Sequence, residues 1–430
     1  MKEVNQLLRR SQLKLPRRKL RSRRTRLDSA AAVPHSPYPS TLPKEKRPTF
    51  YCQPLAPAKD PHSIIFLKLT QFPYSLVAFQ YNSRYNNYSC MYSLTSKLKG
   101  AYIMVESVKI GRSDVVANPL GLGTNAVGGH NLFPDLKDED GIKLVKAALD
   151  NGINLLDTAY VYGLGHSEEL VGQAIKDYDR HKIVIATKGA HDFSTGKEVI
   201  NNDPKFLTDQ VNKSLKRLGT DYIDIYYIHF PDHDTPKAEA VGALQKLREE
   251  GKIRAIGISN FSLDQIKEAN ADGYVDVVED EFSLLHQDYL TEGMLDYLHD
   301  NQISFVPYFP LASGLLTGKY VKDVSFPEDD IRSQIADFKE PRYSSILDAV
   351  DKVRDIADAH HATVAQTILA WYLKNPLISV VIPGAKKAKQ VIANAKAMDI
   401  TLTDDEYQTI ELAFNHFKNT KSGKSLKDPD

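Results

Sequence analysis

The chain has 430 residues, with 55 basic and 55 acidic side chains, 42% hydrophobic residues and two cysteines. This length suits two or three ordinary domains, or one large barrel with a tail; the composition excludes collagen, a wholly disordered chain and a disulfide scaffold. No apolar run reaches the roughly 18 residues that a membrane-spanning helix needs. The zero net charge conceals an asymmetry. Residues 1–103 hold 19 Lys/Arg and 4 Asp/Glu, a surplus of 15 positive charges, and the remainder carries the same surplus of negative charge. Both cysteines, Cys52 and Cys90, lie in the basic part. A cysteine-free remainder fits a reducing compartment, so a cytoplasmic location is expected.

Residues 1–103 open with a basic run from Arg9 to Arg26 and continue through a Pro/Ser stretch from Pro34 to Pro61. An apolar patch, Ile64–Leu69, and a Tyr/Asn/Ser stretch, Tyr81–Tyr92, follow without sustained periodicity. Three readings compete. The segment is a basic arm for nucleic acid, although no zinc spacing or helix-turn-helix pattern accompanies it. It is an Arg-rich, acid-poor transit peptide. Or it is an upstream region read in frame, with the true start at Met104. Lys99-Gly100-Ala101 is compatible with a purine-rich ribosome-binding run, and Tyr102-Ile103 supplies the spacer.

From Met104 to about Phe417, β-rich runs alternate with amphipathic helical runs. The expected strands are Leu120–Thr124, Asn154–Thr158, Ile183–Lys188, Ile223–His229, Ala255–Ser259, Val275–Glu279, Ser304–Tyr308 and Ser379–Ile382. Helix starts are signalled near Asp138, at Ser167-Glu168-Glu169, and where Asp203-Pro204 and Thr235-Pro236 place a capping residue before an N1 proline. Thr363-x-x-Gln366 and Thr403-x-x-Glu406 read as capping boxes. Eight βα units predict an α/β fold, a (β/α)8 TIM barrel over residues 104–417, with a polar disordered tail over 418–430. Gly121-Leu122-Gly123-Thr124-Asn125-Ala126 superficially matches a dinucleotide fingerprint, but a Gly- and Pro-containing loop separates it from the next helix. Its glycines read instead as a tight turn at the barrel mouth.

In such a barrel the C-terminal strand ends carry the chemistry. Asp157 ends the second strand, with Tyr162 just beyond it; Lys188 ends the third and His229 the fourth. A buried lysine needs a partner, and Asp157 offers one. A neighbouring ammonium lowers the pKa of a phenol, so Tyr162 is expected to act as a proton donor near neutral pH, with His229 orienting a carbonyl oxygen or relaying the proton. Singly, each has a structural explanation; together, on successive strand ends, they point to catalysis.

The run from Asn154 to Gly163 strongly resembles the first signature of the aldo-keto reductases, and Ser167-Glu168-Glu169-Leu170-Val171-Gly172 continues it. Ile185-Ala186-Thr187-Lys188, Asp224-Ile225-Tyr226-Tyr227-Ile228-His229 and Gly257-Ile258-Ser259-Asn260-Phe261 look like further motifs of that family. The resemblance implies reduction of aldehydes or ketones by hydride transfer from a nicotinamide. It makes Tyr162 the general acid, with Asp157 and Lys188 tuning it and His229 orienting the carbonyl. It also implies that Ser259 and Asn260 bind the carboxamide and that Tyr308 stacks on the nicotinamide ring, with Leu311 and Ser313 of the same loop nearby. The family's third carboxamide partner is usually Gln, and Glu279 stands there; an ionised carboxylate accepts but cannot donate.

After the last strand, Gly384, Lys386, Lys387, Gln390 and Asn394 form an expected phosphate site at a helix start. The lysines there favour NADPH, since a 2′-phosphate gains charge-assisted bonds, with NADH the weaker alternative. No metal is expected. His229 and His233 have helical zinc spacing, but Pro231 between them removes the helical face. The expected partner is a small carbonyl substrate, with neither membrane nor, for the barrel, nucleic acid. A cofactor-binding regulatory subunit resembling channel-associated β subunits is the second functional class, and a nucleic-acid role residing in residues 1–103 the third. Substrate choice is assigned to the mouth loops Gly128–Lys137 and Leu315–Pro341. If Met104 is the start, intact-mass measurement of native protein gives the mass of residues 104–430; a mass that includes residues 1–103 rejects it.

Overall fold

The computed structural model describes residues 107–417 apart from 134, 289–292, 323, 325 and 328–330, together with two strands nearer the N-terminus. Those two, Tyr74–Phe79 and Met91–Ser96, pair antiparallel from Tyr74 opposite Ser96 to Phe79 opposite Met91. They form a hairpin in the unit ending at Ala101, where the sequence pattern predicted no regular structure. The other expectations for residues 1–103, and the disordered tail, lie outside the described residues.

The second unit is built on seven parallel strands: β1 (Gly121–Gly123), β2 (Leu155–Asp157), β3 (Val184–Gly189), β4 (Ile223–Ile228), β5 (Ile253–Ser259), β6 (Val277–Glu281) and β7 (Ser304–Tyr308). They are neighbours in strict chain order. The eighth segment, residues 379–384, closes the ring. It bridges β1 through Leu120–Val381 and Gly123–Gly384, and Ser379 N donates to Phe305 O of β7 at 2.9 Å. Among the described residues the sheet is therefore the closed (β/α)8 barrel expected from eight βα repeats. β5 begins two residues before its expected start and ends as expected, while β6 lies two residues further along than expected.

A single helical turn, Asn125–Gly128, begins inside the Gly121–Ala126 motif, where a loop was expected. The longer helices are α1 (Asp138–Asp150), α2 (His166–Ile175), α3 (Pro204–Leu218), α4 (Lys237–Glu249), α5 (Leu263–Ala269), α6 (Met294–Asp300), α7 (Arg342–Ala359), α8 (Val364–Lys374), α9 (Ala388–Ala395) and α10 (Asp404–Phe414). Asp203 caps α3 through Lys205 N and Phe206 N, and the boxes at Thr363 and Thr403 form. Thr235 does not cap α4. Its hydroxyl donates to Asp232 Oδ2, the helix begins after Pro236, and Glu268 Oε1 accepts from Lys237 N.

The core has two layers because side chains alternate across each strand. Outward residues such as Leu156, Ile185, Tyr226, Ile256 and Val278 pack under the helices. Inward residues Leu155, Ala186, Ile225, Tyr227, Ala255, Val277 and Val306 fill the lumen. The hairpin of Val108–Lys109 with Val116–Ala117 plugs its N-terminal end, contributing Ile110, Val115 and Ala117 to that cluster. Below, Asp224 binds Arg180 and Arg254 at 2.7 Å each and accepts from Ile185 N at 3.0 Å, tying β3, β4 and β5 together. Gly257 faces the Tyr227 ring so closely that a Cβ there would lie 2.2 Å from Tyr227 Cδ1. Gly257→Ala is therefore expected to cost about 1–3 kcal/mol by overpacking, read as a lowered urea midpoint.

Candidate active site

The lumen alternation carries the polar site. Two residues beyond the apolar layer, the next inward positions are Asp157 on β2, Lys188 on β3, His229 just past β4, Ser259 on β5, Glu279 on β6 and Tyr308 on β7. One period-two register thus delivers six side chains to the same C-terminal rim. Lys188 is fully buried. An unpaired ammonium there would cost several kcal/mol. Its Nζ donates to Asp157 Oδ1 at 2.5 Å and to Thr158 O at 3.1 Å, and lies 3.2 Å from Glu279 Oε1.

Two carboxyls share this one cation. Burial pushes the Asp157 carboxyl up, against the pull of Lys188. Burial pushes Glu279 up much further, and Asp157 adds to that rise. The remaining oxygens, Asp157 Oδ2 and Glu279 Oε2, are buried with no hydrogen-bond partner among the described residues. Asp157 makes the shorter contact with Lys188, and burial drives Glu279 the more strongly toward its neutral form. Burial also works against the Lys188 ammonium, but the two carboxyls outweigh it and hold its pKa above the usual lysine value.

Tyr162 hangs over this cluster, with Lys188 Nζ 5.7 Å from its ring centroid. The loop that carries it is clamped: Asn131 Nδ2 donates to Val161 O at 3.0 Å, and Gly163 N donates to Asn131 Oδ1 at 2.7 Å. Ser167 N donates to Tyr162 O at 3.1 Å. The Tyr162 phenol does not titrate as the sequence suggested. Burial raises its pKa and outweighs the lowering by Lys188, so the hydroxyl keeps its proton across the physiological range.

His229 stands edge-on to Tyr162 with 6.3 Å between ring centroids. Burial, then His191 and Lys188, holds its pKa well below the usual imidazole value, so it is neutral. Its Nδ1 lies 3.0 Å from His191 Nε2, and His191 Nδ1 lies 2.6 Å from Glu198 Oε1. Asn260, at φ 63°, donates to His229 O and Ser259 Oγ at 3.0 Å each, and accepts from the Tyr308 hydroxyl at 2.8 Å. Asn tolerates that left-handed backbone better than most residues.

Residues 119–413 match the model of the aldo/keto reductase family. The chain belongs to the aldo/keto reductase family. It is 34% identical over 327 residues to the aldo-keto reductase YhdN of Bacillus subtilis, covering 76% of this chain and 96% of that one. It is also 34% identical over 314 residues to an NADH-specific methylglyoxal reductase of Escherichia coli, covering 70% and 95%. Among solved structures it resembles the glycerol dehydrogenase AKR11B4 from Gluconobacter oxydans. There the TM-score is 0.68 and the identity 32%, over 75% of this chain and all of that one. Members of this family are nicotinamide-dependent oxidoreductases acting on carbonyls.

The rim fits such a cofactor. Ser259 Oγ accepts from Asn260 and so retains its own hydrogen for a carbonyl oxygen. Tyr308 offers a half-buried ring beside it. Glu279 is turned into the charge cluster. The exposed Ser313 and half-buried Leu311 lie on a loop with left-handed backbone at Phe309, Ala312 and Ser313. Gly384 bridges Gly123 beneath the start of α9. There the Lys386 and Lys387 amides both donate to Gln390 Oε1 at 3.0 Å, Lys386 Nζ sits 4.1 Å from the Phe133 ring centroid, and Asn394 is half-buried in the last turn.

Several partners in and around the site were not singled out from the sequence. Asn131, Thr158, His191 and Glu198 act through contacts between distant segments. Glu168, read as part of a signature, is fully buried, where it accepts from Thr187 Oγ1 at 2.7 Å and Arg217 Nε at 2.5 Å. The decoy pair separates, with His229 buried and His233 fully exposed.

Glu279 supplies a pH test. Its pKa is higher folded than unfolded, so its contribution to stability is complete at acid pH and lost as pH rises. Glu279→Gln removes that loss. The variant should match wild type near pH 4 and gain on it steadily toward pH 8 in chemical denaturation; a constant difference contradicts the raised Glu279 pKa.

Proposed function

We propose that this chain is an NADPH-dependent reductase of aldehyde and ketone carbonyls, with residues 104–417 as the working unit, located in the cytoplasm. The observation that carries the reading is the convergence of Tyr162, Lys188, Asp157 and His229 on one rim, with an ammonium held 2.5 Å from its carboxylate. A bound reduced nicotinamide supplies the hydride. Ser259, Asn260 and Tyr308 orient it, and Tyr162 holds the proton that the reduced oxygen takes up. As that proton leaves, the buried Lys188 charge stabilises the developing phenolate, while Asp157 keeps the ammonium in position. His229 hydrogen-bonds the substrate oxygen.

The preference for NADPH is supported by Lys386, Lys387 and Lys389 around the start of α9. A 2′-phosphate replacing the Gln390 oxygen at the helix amides would gain charge-assisted bonds there. Relatives differ on this point, since one is named as NADH-specific and an aldo-keto reductase of Schizosaccharomyces pombe as NADP(+)-dependent.

The test follows loss of nicotinamide absorbance with a panel of aldehydes and ketones, using the full chain and one beginning at Met104. Both should turn over, and Tyr162→Phe should lose about 10²–10⁴-fold in kcat with cofactor binding retained, the usual worth of a positioned acid. Tight cofactor binding without turnover in the wild type overturns the reading in favour of a regulatory subunit.

A further inference from the structure

Beside the rim, His191 and Glu198, which the mechanism above does not use, extend from His229 as a titratable chain. His191 leaves the lumen just after β3, in the short strand His191–Asp192, which pairs antiparallel with Val199–Ile200. That tight hairpin returns Glu198 onto the imidazole seven residues before it, at 2.6 Å from Nδ1. On its other side, His191 Nε2 meets His229 Nδ1 at 3.0 Å, with the rings edge-on and 4.7 Å apart. Both imidazoles are buried, and Glu198 is half exposed.

Hydrogen-bond logic fixes every proton in this chain. An ionised carboxylate only accepts, so His191 carries hydrogen on Nδ1. A neutral His191 then has a bare Nε2, which accepts from His229 Nδ1–H. A neutral His229 with its hydrogen on Nδ1 has a bare Nε2, its one remaining polar atom. We propose that His191, anchored by Glu198, is a positioning residue that sets which nitrogen of His229 carries the proton, and so whether His229 offers the substrate an acceptor or a donor. This deepens, and rests on, the carbonyl–alcohol chemistry proposed above.

With His191 neutral, His229 Nε2 accepts from an alcohol hydroxyl. When one proton arrives at His229 Nε2, the proton on Nδ1 passes to His191 Nε2. His191 then donates from both nitrogens, to Glu198 and to His229 Nδ1, and His229 donates from Nε2 to a carbonyl oxygen. The groups facing His191 are Glu198, His229 and the edge of Phe230; those facing His229 are His191, Phe230, Tyr162 and the Lys188 charge. Burial lowers the His191 pKa despite Glu198, so the acceptor form prevails at neutral pH and the donor form grows as pH falls. Carbonyl reduction gains toward acid, and alcohol oxidation toward neutral and alkaline pH.

The test labels histidine with ¹⁵N in the full-length protein and reads the His229 nitrogens by NMR, assigned with His191→Phe, alongside pH profiles in both directions. Near pH 8 the wild type should show an unprotonated Nε2 on His229. The acid-side gain in reduction, about tenfold per pH unit at its steepest for a single proton, should flatten in His191→Phe. Glu198→Gln, which keeps the size of the side chain, should move that limb to lower pH, because the carboxylate favours protonated His191. A protonated Nε2 on wild-type His229 at pH 8, or an unchanged limb in both variants, overturns the inference. Absence of turnover in the wild type would fail the reductase reading instead, with the NMR signals still deciding the tautomer.

Discussion

The Lys188 ammonium sits in the barrel with no solvent exposure, and much of the surrounding rim is arranged to keep it charged. Solvation lost on burial is replaced by Asp157, Glu279 and the Thr158 carbonyl, contributed by β2, β6 and the chain just past β2. Removing one partner would leave an uncompensated charge, a defect worth several kcal/mol. The site is thus constrained electrostatically before any substrate arrives. With a second carboxyl beside one cation, burial raises both carboxyl pKa values and drives Glu279 the more strongly toward its neutral form.

Burial likewise sets the states of the other two working groups. Tyr162 keeps its proton because desolvation of a phenolate outweighs an ammonium 5.7 Å from the ring. His229 is neutral because burial disfavours an imidazolium there, and His191 and the Lys188 charge add to that. A neutral ring must place its proton on one nitrogen, and so the second histidine acquires leverage over the first. A protonated phenol beside a neutral imidazole suits proton donation to an oxygen, the step that carbonyl reduction needs.

Positioning comes from the mouth loops as much as from the strands. Asn131, on the loop after β1, holds the peptide groups on both sides of Tyr162. Glu168 links the start of α2 to Thr187 of β3 and Arg217 of α3, so the helix that follows the Tyr162 loop is pinned to the neighbouring βα unit. Asp138 and His166 are likewise joined at 3.0 Å across the starts of α1 and α2. These contacts bring together segments far apart in the chain, and residue type alone does not announce them.

The fold was legible because its signals are local and repeated. Alternation, caps at Asp203, Thr363 and Thr403, and eight βα periods all depend on residues within a few positions of one another. The strand ends carrying Asp157, Lys188 and His229 followed from the same alternation. The family's motifs added the parts expected of Ser259, Asn260 and Tyr308. What the sequence could not determine was the environment. Whether an ammonium lowers a phenol or desolvation raises it depends on distance and burial, which exist only in the closed barrel. The raised pKa of Glu279 and the Glu198–His191–His229 chain are likewise products of folding, because β2, β3 and β6 meet only when the ring closes and a hairpin must turn back to set a carboxylate on an imidazole.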